Sequence, residues 1–190
     1  KMVELKRDQE AACIASGATV TGTSAVAAKQ RGLYGFITNR RTGAAPGAAP
    51  DPTTNTAPVA GVLAAFDETA LKLGLRTAYE NGGDASMILC SPAHKVRIST
   101  FTGNVQRTNE VGSKAPAVLN AAFDFYRSDF GVTKVIPNRV QAGSTPGLQN
   151  TLYILDADKL ALAVLRGFES EQLATVGDAK NWQVRTETSL

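Results

Sequence analysis

From Trp182 to Leu190 the sequence alternates without a break: Trp182, Val184, Thr186, Thr188 and Leu190 fall on one face, Gln183, Arg185, Glu187 and Ser189 on the other. Successive side chains of a strand leave opposite sides of the pleat, so this period of two marks a β-strand with one covered face. The pattern is still running at the last residue. At the other end the chain opens on Lys1, without Met, inside a helical pattern. The expectation is that both ends are cut from something larger. A bare strand and a bare helix would complete their packing with segments or subunits outside this sequence, because an unpaired strand edge is a template for further pairing.

A chain of 190 residues, 43% of them hydrophobic, is long enough for one self-sufficient core or for two small domains sharing a sheet. Its 20 Lys and Arg and 17 Asp and Glu are interspersed, giving a net charge of +3 and no basic arm of the kind that tracks nucleic acid. Arg40 and Arg41, with Arg31 nearby, read as a solvated loop. Cys13 and Cys90 lie far apart in unlike contexts, which suits buried free thiols in a reducing compartment. No apolar run approaches the roughly 20 residues of a membrane span, and no signal peptide is visible, so the expectation is a soluble protein made in a cytoplasm.

Met2 to Ala15 reads as a charged helix with a thin apolar seam of Met2, Leu5, Ala12 and Cys13, ended by Gly17. Leu33 to Ile37 reads as a short apolar strand. Thr38 to Gly61 is rich in Ala, Gly, Pro and Thr and reads as a domain boundary or a mobile surface segment. Asp67 is placed as the N-cap of a second helix, with Phe66 and Leu71 as its hydrophobic staple. Leu71, Leu75, Ala78 and Tyr79 form its apolar stripe, closed by Gly82 and Gly83. Met87 to Cys90 then forms a buried strand, and Ser91 and Pro92 open a third helix ending near Gly103. Phe123 to Arg127 and Val132 to Ile136 flank a turn at Ser128, Asp129, Phe130 and Gly131. Leu152 to Leu155 and Leu160 to Leu165 read as a second hairpin, buried on both faces, around Asp156 to Asp158.

Chemistry has little foothold in this pattern. The only histidine, His94, sits in the first turn of the third helix with no nucleophile or orienting partner nearby in sequence, and its structural reading outweighs a general base. One His and two isolated Cys cannot make a common zinc set. Asp156 and Asp158 flank a tight turn, where their expected role is to accept backbone N–H bonds. Asp129, Phe130 and Gly131 spell the metal-binding tripeptide of protein kinases, but the other kinase signatures are missing and a hairpin turn with Gly131 at positive φ is the simpler reading. No catalytic, cofactor-binding or metal-binding residue is assigned, and no cofactor is expected.

A series of segments in fixed order nevertheless resembles one family. LKRDQE at Leu5 to Glu10, ILCSPAHKVRISTF at Ile88 to Phe101, YRSDFGVTKVIPNR at Tyr126 to Arg139, Leu155 with Asp156, Leu160 to Glu169, and LATVGDAKNWQVRTE at Leu173 to Glu187 are similar to major capsid proteins of tailed bacteriophages, closest to the podovirus-type major head protein family. The resemblance implies an α+β chain with the Hong Kong 97-like capsid fold. A spine helix and an antiparallel β-sheet would form a peripheral domain, and helices around a central sheet an axial domain. Residues 1–58 would then be the spine helix end and the Pro/Gly/Ala-rich loop of the peripheral domain, 59–159 the axial domain, and 160–190 the return to the peripheral sheet. The N-terminal arm and extended loop of such proteins would precede Lys1, and no residue here is assigned to subunit crosslinking.

On this reading the protein is a non-enzymatic virion subunit that self-assembles into pentamers and hexamers of an icosahedral head enclosing DNA. Its partners would be copies of itself, scaffolding and decoration proteins, and non-specifically packaged DNA, with no membrane. It would be synthesised in the host bacterial cytoplasm and end in the virion capsid. The rivals are a small hydrolase or transferase using His94 with an unseen acid, and a host-encoded binding module built on the same sheet.

Overall fold

A computed structural model describes residues 1–39, 47–101, 124–142, 148–174, 177–178 and 180–190. In chain order its elements are α1 (Met2–Ala15), α2 (Leu33–Phe36), α3 (Glu68–Glu80), β1 (Met87–Cys90), α4 (Pro92–Ser99), β2 (Phe125–Ser128) and β3 (Gly131–Pro137). After them come α5 (Arg139–Ala142), β4 (Leu152–Leu155), β5 (Ala163–Gln172) and β6 (Trp182–Ser189). The mixture is α+β. The chain forms two compact units, one built on Val62–Ala157 and the other on Lys1–Arg40, Ala45–Gly61 and Asp158–Leu190.

The Val62–Ala157 unit is organised by local signals that its sequence carries plainly. Asp67 Oδ1 accepts the Ala70 N–H at 2.7 Å, satisfying one of the orphan donors at the start of α3. Ser91 caps α4 in the same way, with Pro92 in the first turn where its missing N–H costs nothing. Both helices lay apolar residues on one face of a four-stranded sheet ordered β2-β3-β1-β4. Leu71 and Leu75 from α3, Ile98 from α4 and the following Phe101 pack with Ile88, Cys90, Tyr126 and Val135 of the sheet. Ile88 and Cys90 are completely buried, and removing each such apolar side chain from water contributes roughly 1.5–3 kcal/mol. β1 and β3 run parallel, with α4 between them in sequence, whereas β2 pairs antiparallel with β3 and β4 with β1. The β2–β3 turn is the Asp129, Phe130, Gly131 tripeptide, with Gly131 at φ 129°, as its sequence suggests.

Three details of this unit depart from the sequence reading. The α4 helix stops at Ser99, four residues short of the expected end, and Thr100 closes it with its Oγ1 donating to the Arg97 carbonyl at 2.6 Å. Gly103 and Phe123 lie outside the described residues. Tyr79, expected in the apolar stripe, is 62% exposed and stacks on Phe130 with ring centroids 5.3 Å apart. The hairpin expected between Leu152 and Leu165 does not form: β4 pairs with β1 and β5 with β6. A continuous apolar run identifies a strand but not its partner, and nothing local chooses between the neighbouring strand and one far along the chain.

The other unit is thinner. Its sheet is the two-stranded antiparallel ribbon β5–β6. α1 lies against it, with Gln9 Nε2 donating to Thr188 Oγ1 at 2.9 Å and Lys6 Nζ 5.4 Å from the Phe168 ring centroid. Met2, Leu5, Gln9, Ala12 and Cys13 are half-buried along the expected seam, and Ile14 is buried. The helix ends differently from expectation: Ser16 is its extended C-cap and Gly17 is not in a left-handed conformation. Leu33–Phe36 is a helical turn, not a strand, closed by the Phe36 N–H to the Gly32 carbonyl and the Ile37 N–H to that of Leu33. Gly35 makes the turn possible, because a Cβ there would collide with the Gly17 carbonyl. Within the Pro-rich stretch, Asp51 organises a tight turn by accepting from Thr53 N–H and Thr54 Oγ1, both at 2.8 Å. Arg40 and Arg41 are outside the described residues.

Arg31 was expected in a solvated loop and is instead 6% exposed. Its Nη2 donates to Asn55 Oδ1 at 2.7 Å and its Nη1 to the Gly35 carbonyl at 3.3 Å. Asn55, at φ 56°, also binds the Thr19 backbone on both sides, accepting its N–H and donating to its carbonyl. One guanidinium thereby ties the turn around Asn55 to the chain around α2.

Candidate functional site

His94 is the first place to look for chemistry, and the geometry superficially resembles a catalytic pair. Ser91 Oγ lies 3.0 Å from His94 Nδ1. The same Oγ, however, also takes the His94 backbone N–H at 3.4 Å as the cap of α4, and Ser91 is only 1% exposed. A hydroxyl so enclosed cannot meet a substrate carbonyl. The imidazole packs edge-on against Phe66 with centroids 5.0 Å apart, and burial holds its pKa below the ordinary histidine value. No hydrogen bond from a carboxylate to the ring is seen among the described residues. The pair reads as a cap and its packing.

The other candidates are likewise absorbed by structure. The described residues contain no cluster of three or more His, Cys, Asp or Glu able to hold a metal ion. Asp156 accepts a backbone N–H, that of Asp84 at 3.2 Å. Cys13 and Cys90 are free and belong to different units. Cys90 is buried against the Ile136 carbonyl, which pushes its thiol pKa up and makes it a poor nucleophile; Cys13 is half-buried and accepts from Gln30 Nε2 at 3.1 Å. No described helix is long and apolar enough to cross a membrane.

What the molecule presents instead is surface. Every residue of β5 is exposed, with Leu165 at 81% and Val164 at 58%. The ribbon carries a cross-strand ion ladder: Arg166 to Glu187 at 3.5 Å, and Arg185 to Glu169 at 3.4 Å and to Glu171 at 3.2 Å. On the Val62–Ala157 unit, the sheet face away from the helices leaves Phe125 61% and Val132 58% exposed beside Arg127 and Lys134. Broad exposed apolar surface of this kind on a folded chain marks association sites.

A family model described as SU10 major capsid protein matches residues 1–190, the full length of the sequence. The chain belongs to the SU10 major capsid protein family. It is thus a tailed-phage major capsid protein, a structural protein of the virion, as the ordered segments from Leu5 to Glu187 suggested. No curated protein matches it. For a capsid protein the surface matters, and a search of the sequence for polar constellations does not single out the exposed Leu165 and Phe125. The signal for Leu165 was present in its long apolar run, but burial on both faces was the expected reading of it.

Proposed function

We propose that copies of this chain self-assemble into the pentamers and hexamers of an icosahedral head enclosing DNA, each copy adopting the Hong Kong 97-like arrangement. In that arrangement residues 1–58 and 160–190 form the peripheral domain, with α1 as the end of the spine helix, and 59–159 form the axial domain. The observation that carries the reading is the capsid-family match along the whole sequence. The division into two compact units and the exposed ribbon support it. Affinity would come from many modest apolar and polar contacts multiplied by symmetry. Packaged DNA would be met without sequence preference, scaffolding and decoration proteins would be further partners, and synthesis would take place in the host bacterial cytoplasm before the protein is built into the virion.

The same reading makes the subunit a non-enzyme. An activity screen comparing the wild-type chain with His94→Ala should find no activity that depends on the imidazole; a selective loss would support the hydrolase or transferase alternative. The decisive test is assembly itself. Light scattering and electron microscopy of the full-length protein under assembly conditions should detect closed shells, and a strictly monomeric outcome would overturn the proposal.

A further inference from the structure

β5 is built in a way that a simple ribbon does not require. Its ten residues oppose the eight of β6, and the register slips between Val164 and Arg166 and again between Arg166 and Glu169. Each slip is a β-bulge, in which an extra residue is left without a cross-strand partner and the strand bends. The bulges bring Arg166 opposite Glu187 and Glu169 opposite Arg185, so the ion ladder stays in register. The residue left over at the first slip is Leu165. At 81% it is the most exposed large hydrophobic side chain among the described residues. The surroundings are open, since a Cβ placed on Gly167 would meet no atom within 4 Å. Within its sheet β5 pairs only with β6, so no strand among the described residues pairs with its outer edge.

We propose that this bulged outer edge of the ribbon is a contact surface for a second copy of the chain, with Leu165 as its anchor. The inference rests on the capsid-subunit reading and adds to it where one subunit grips another. The ribbon's charges point to a protein occupant and away from nucleic acid. Arg166 is matched by Glu187, and Arg185 by both Glu169 and Glu171, which leaves the ladder with one carboxylate in excess. Even with Lys6 over Phe168, the ribbon holds no surplus of positive charge to draw a polyanion. What remains for an occupant is a protruding leucine, its neighbour Val164 and a row of backbone groups that no described strand pairs, which suit an apolar recess and a strand edge. A capsid-family chain is surrounded in its shell by copies of itself, and a single well-seated apolar anchor is the kind of residue that dominates such a contact.

Two measurements on the full-length protein test this. Leu165→Asp should leave the far-UV circular dichroism of the subunit unchanged and reduce the yield of sedimenting particles by at least about tenfold, while Leu165→Met restores it. A photoreactive benzoylphenylalanine at position 165, in an otherwise wild-type chain, should give a covalent product of twice the chain mass. If wild type assembles and Leu165→Asp assembles equally well, or the photoproduct contains only a non-capsid partner, the contact is wrong and the capsid reading stands. A wild-type chain that never assembles overturns both.

Discussion

In the Val62–Ala157 unit, Leu71, Leu75, Ile98 and Phe101 close over one face of a four-stranded sheet, burying Ile88 and Cys90 with no exposure at all. In the other unit a two-stranded ribbon lies under a single charged helix, and no residue of β5 is even half-buried. An isolated two-stranded ribbon is marginal in water, and the contacts to it from α1 are the Gln9–Thr188 hydrogen bond and Lys6 over the Phe168 ring. One unit holds itself together; the other has surface left over. That division fits a protein whose work is association, since the surface that one subunit leaves unburied is what another can cover.

The sharpest way to break this comparison is to remove core from the first unit. Leu75 is 1% exposed between α3 and the sheet, and Leu75→Ala should lose about 2–5 kcal/mol through lost transfer energy and a residual cavity. Urea unfolding of the dissociated subunit measures it. A loss below about 1 kcal/mol would mean that this core is no better packed than the ribbon, and the contrast between the units would dissolve.

Arg31→Ala tests whether the thinner unit depends on polar staples. The substitution strands the Gly35 carbonyl and takes one donor from Asn55 Oδ1, which keeps the Thr19 N–H and hydroxyl, and should lose about 1–3 kcal/mol. Combined with Asn55→Ala it should be less than additive, because both changes break the same tie. Full additivity would show that the guanidinium acts alone. A smaller loss, about 1 kcal/mol, is expected of Asp67→Ala, which removes only the bond to the Ala70 N–H.

The sequence made some of this legible and hid the rest for physical reasons. The α1 limits, β1, the Asp67 and Ser91 caps and the Gly131 turn are written within a few residues of where they act. Strand pairing is not: β4 and β5 are adjacent in sequence yet belong to different sheets, and only the distant partners β1 and β6 decide that. Leu33–Phe36 reads as a strand because a five-residue apolar run has no period, whereas the close approach of Gly35 to Gly17 depends on tertiary structure. His94 is expected from sequence to be structural because no orienting partner stands near it; its pairing with Phe66 was invisible there. Leu165 is the instructive miss, for exposure is a property of what the rest of the chain fails to cover.

A weaker effect should appear with pH. The folded chain holds the His94 proton less readily than the unfolded chain, whose histidine titrates near 6.5, because the ring is desolvated beside Phe66. The unfolded state therefore binds more protons as pH falls, so the His94 contribution is complete above about 6.5 and is lost as pH falls toward the lower folded-state value. Urea midpoints from pH 8 to 5 should decline for wild type and stay flatter for His94→Gln. Asp51 acts in a separate window: Thr54 Oγ1 and the Thr53 N–H hold its carboxyl below 3.8, so its contribution persists above that value and disappears only in stronger acid.

Trp182 gives the smallest expected effect and the finest test of the ribbon. By alternation it shares a face with Val184, Thr186 and Thr188, and on a covered face its truncation would lose roughly 3–5 kcal/mol. Those three residues are half-buried, but Trp182, opposite Gln172 at the end of the ribbon that leads into the turn, is 62% exposed. Trp182→Ala should therefore change subunit stability by less than about 0.5 kcal/mol. As the only tryptophan it reports on itself: its emission should be red-shifted and readily quenched by acrylamide in the dissociated subunit. A blue-shifted, protected ring together with a loss near 3 kcal/mol would show that the ribbon tip is covered within a single chain, and the claim that this unit leaves its surface for others would fail at that end.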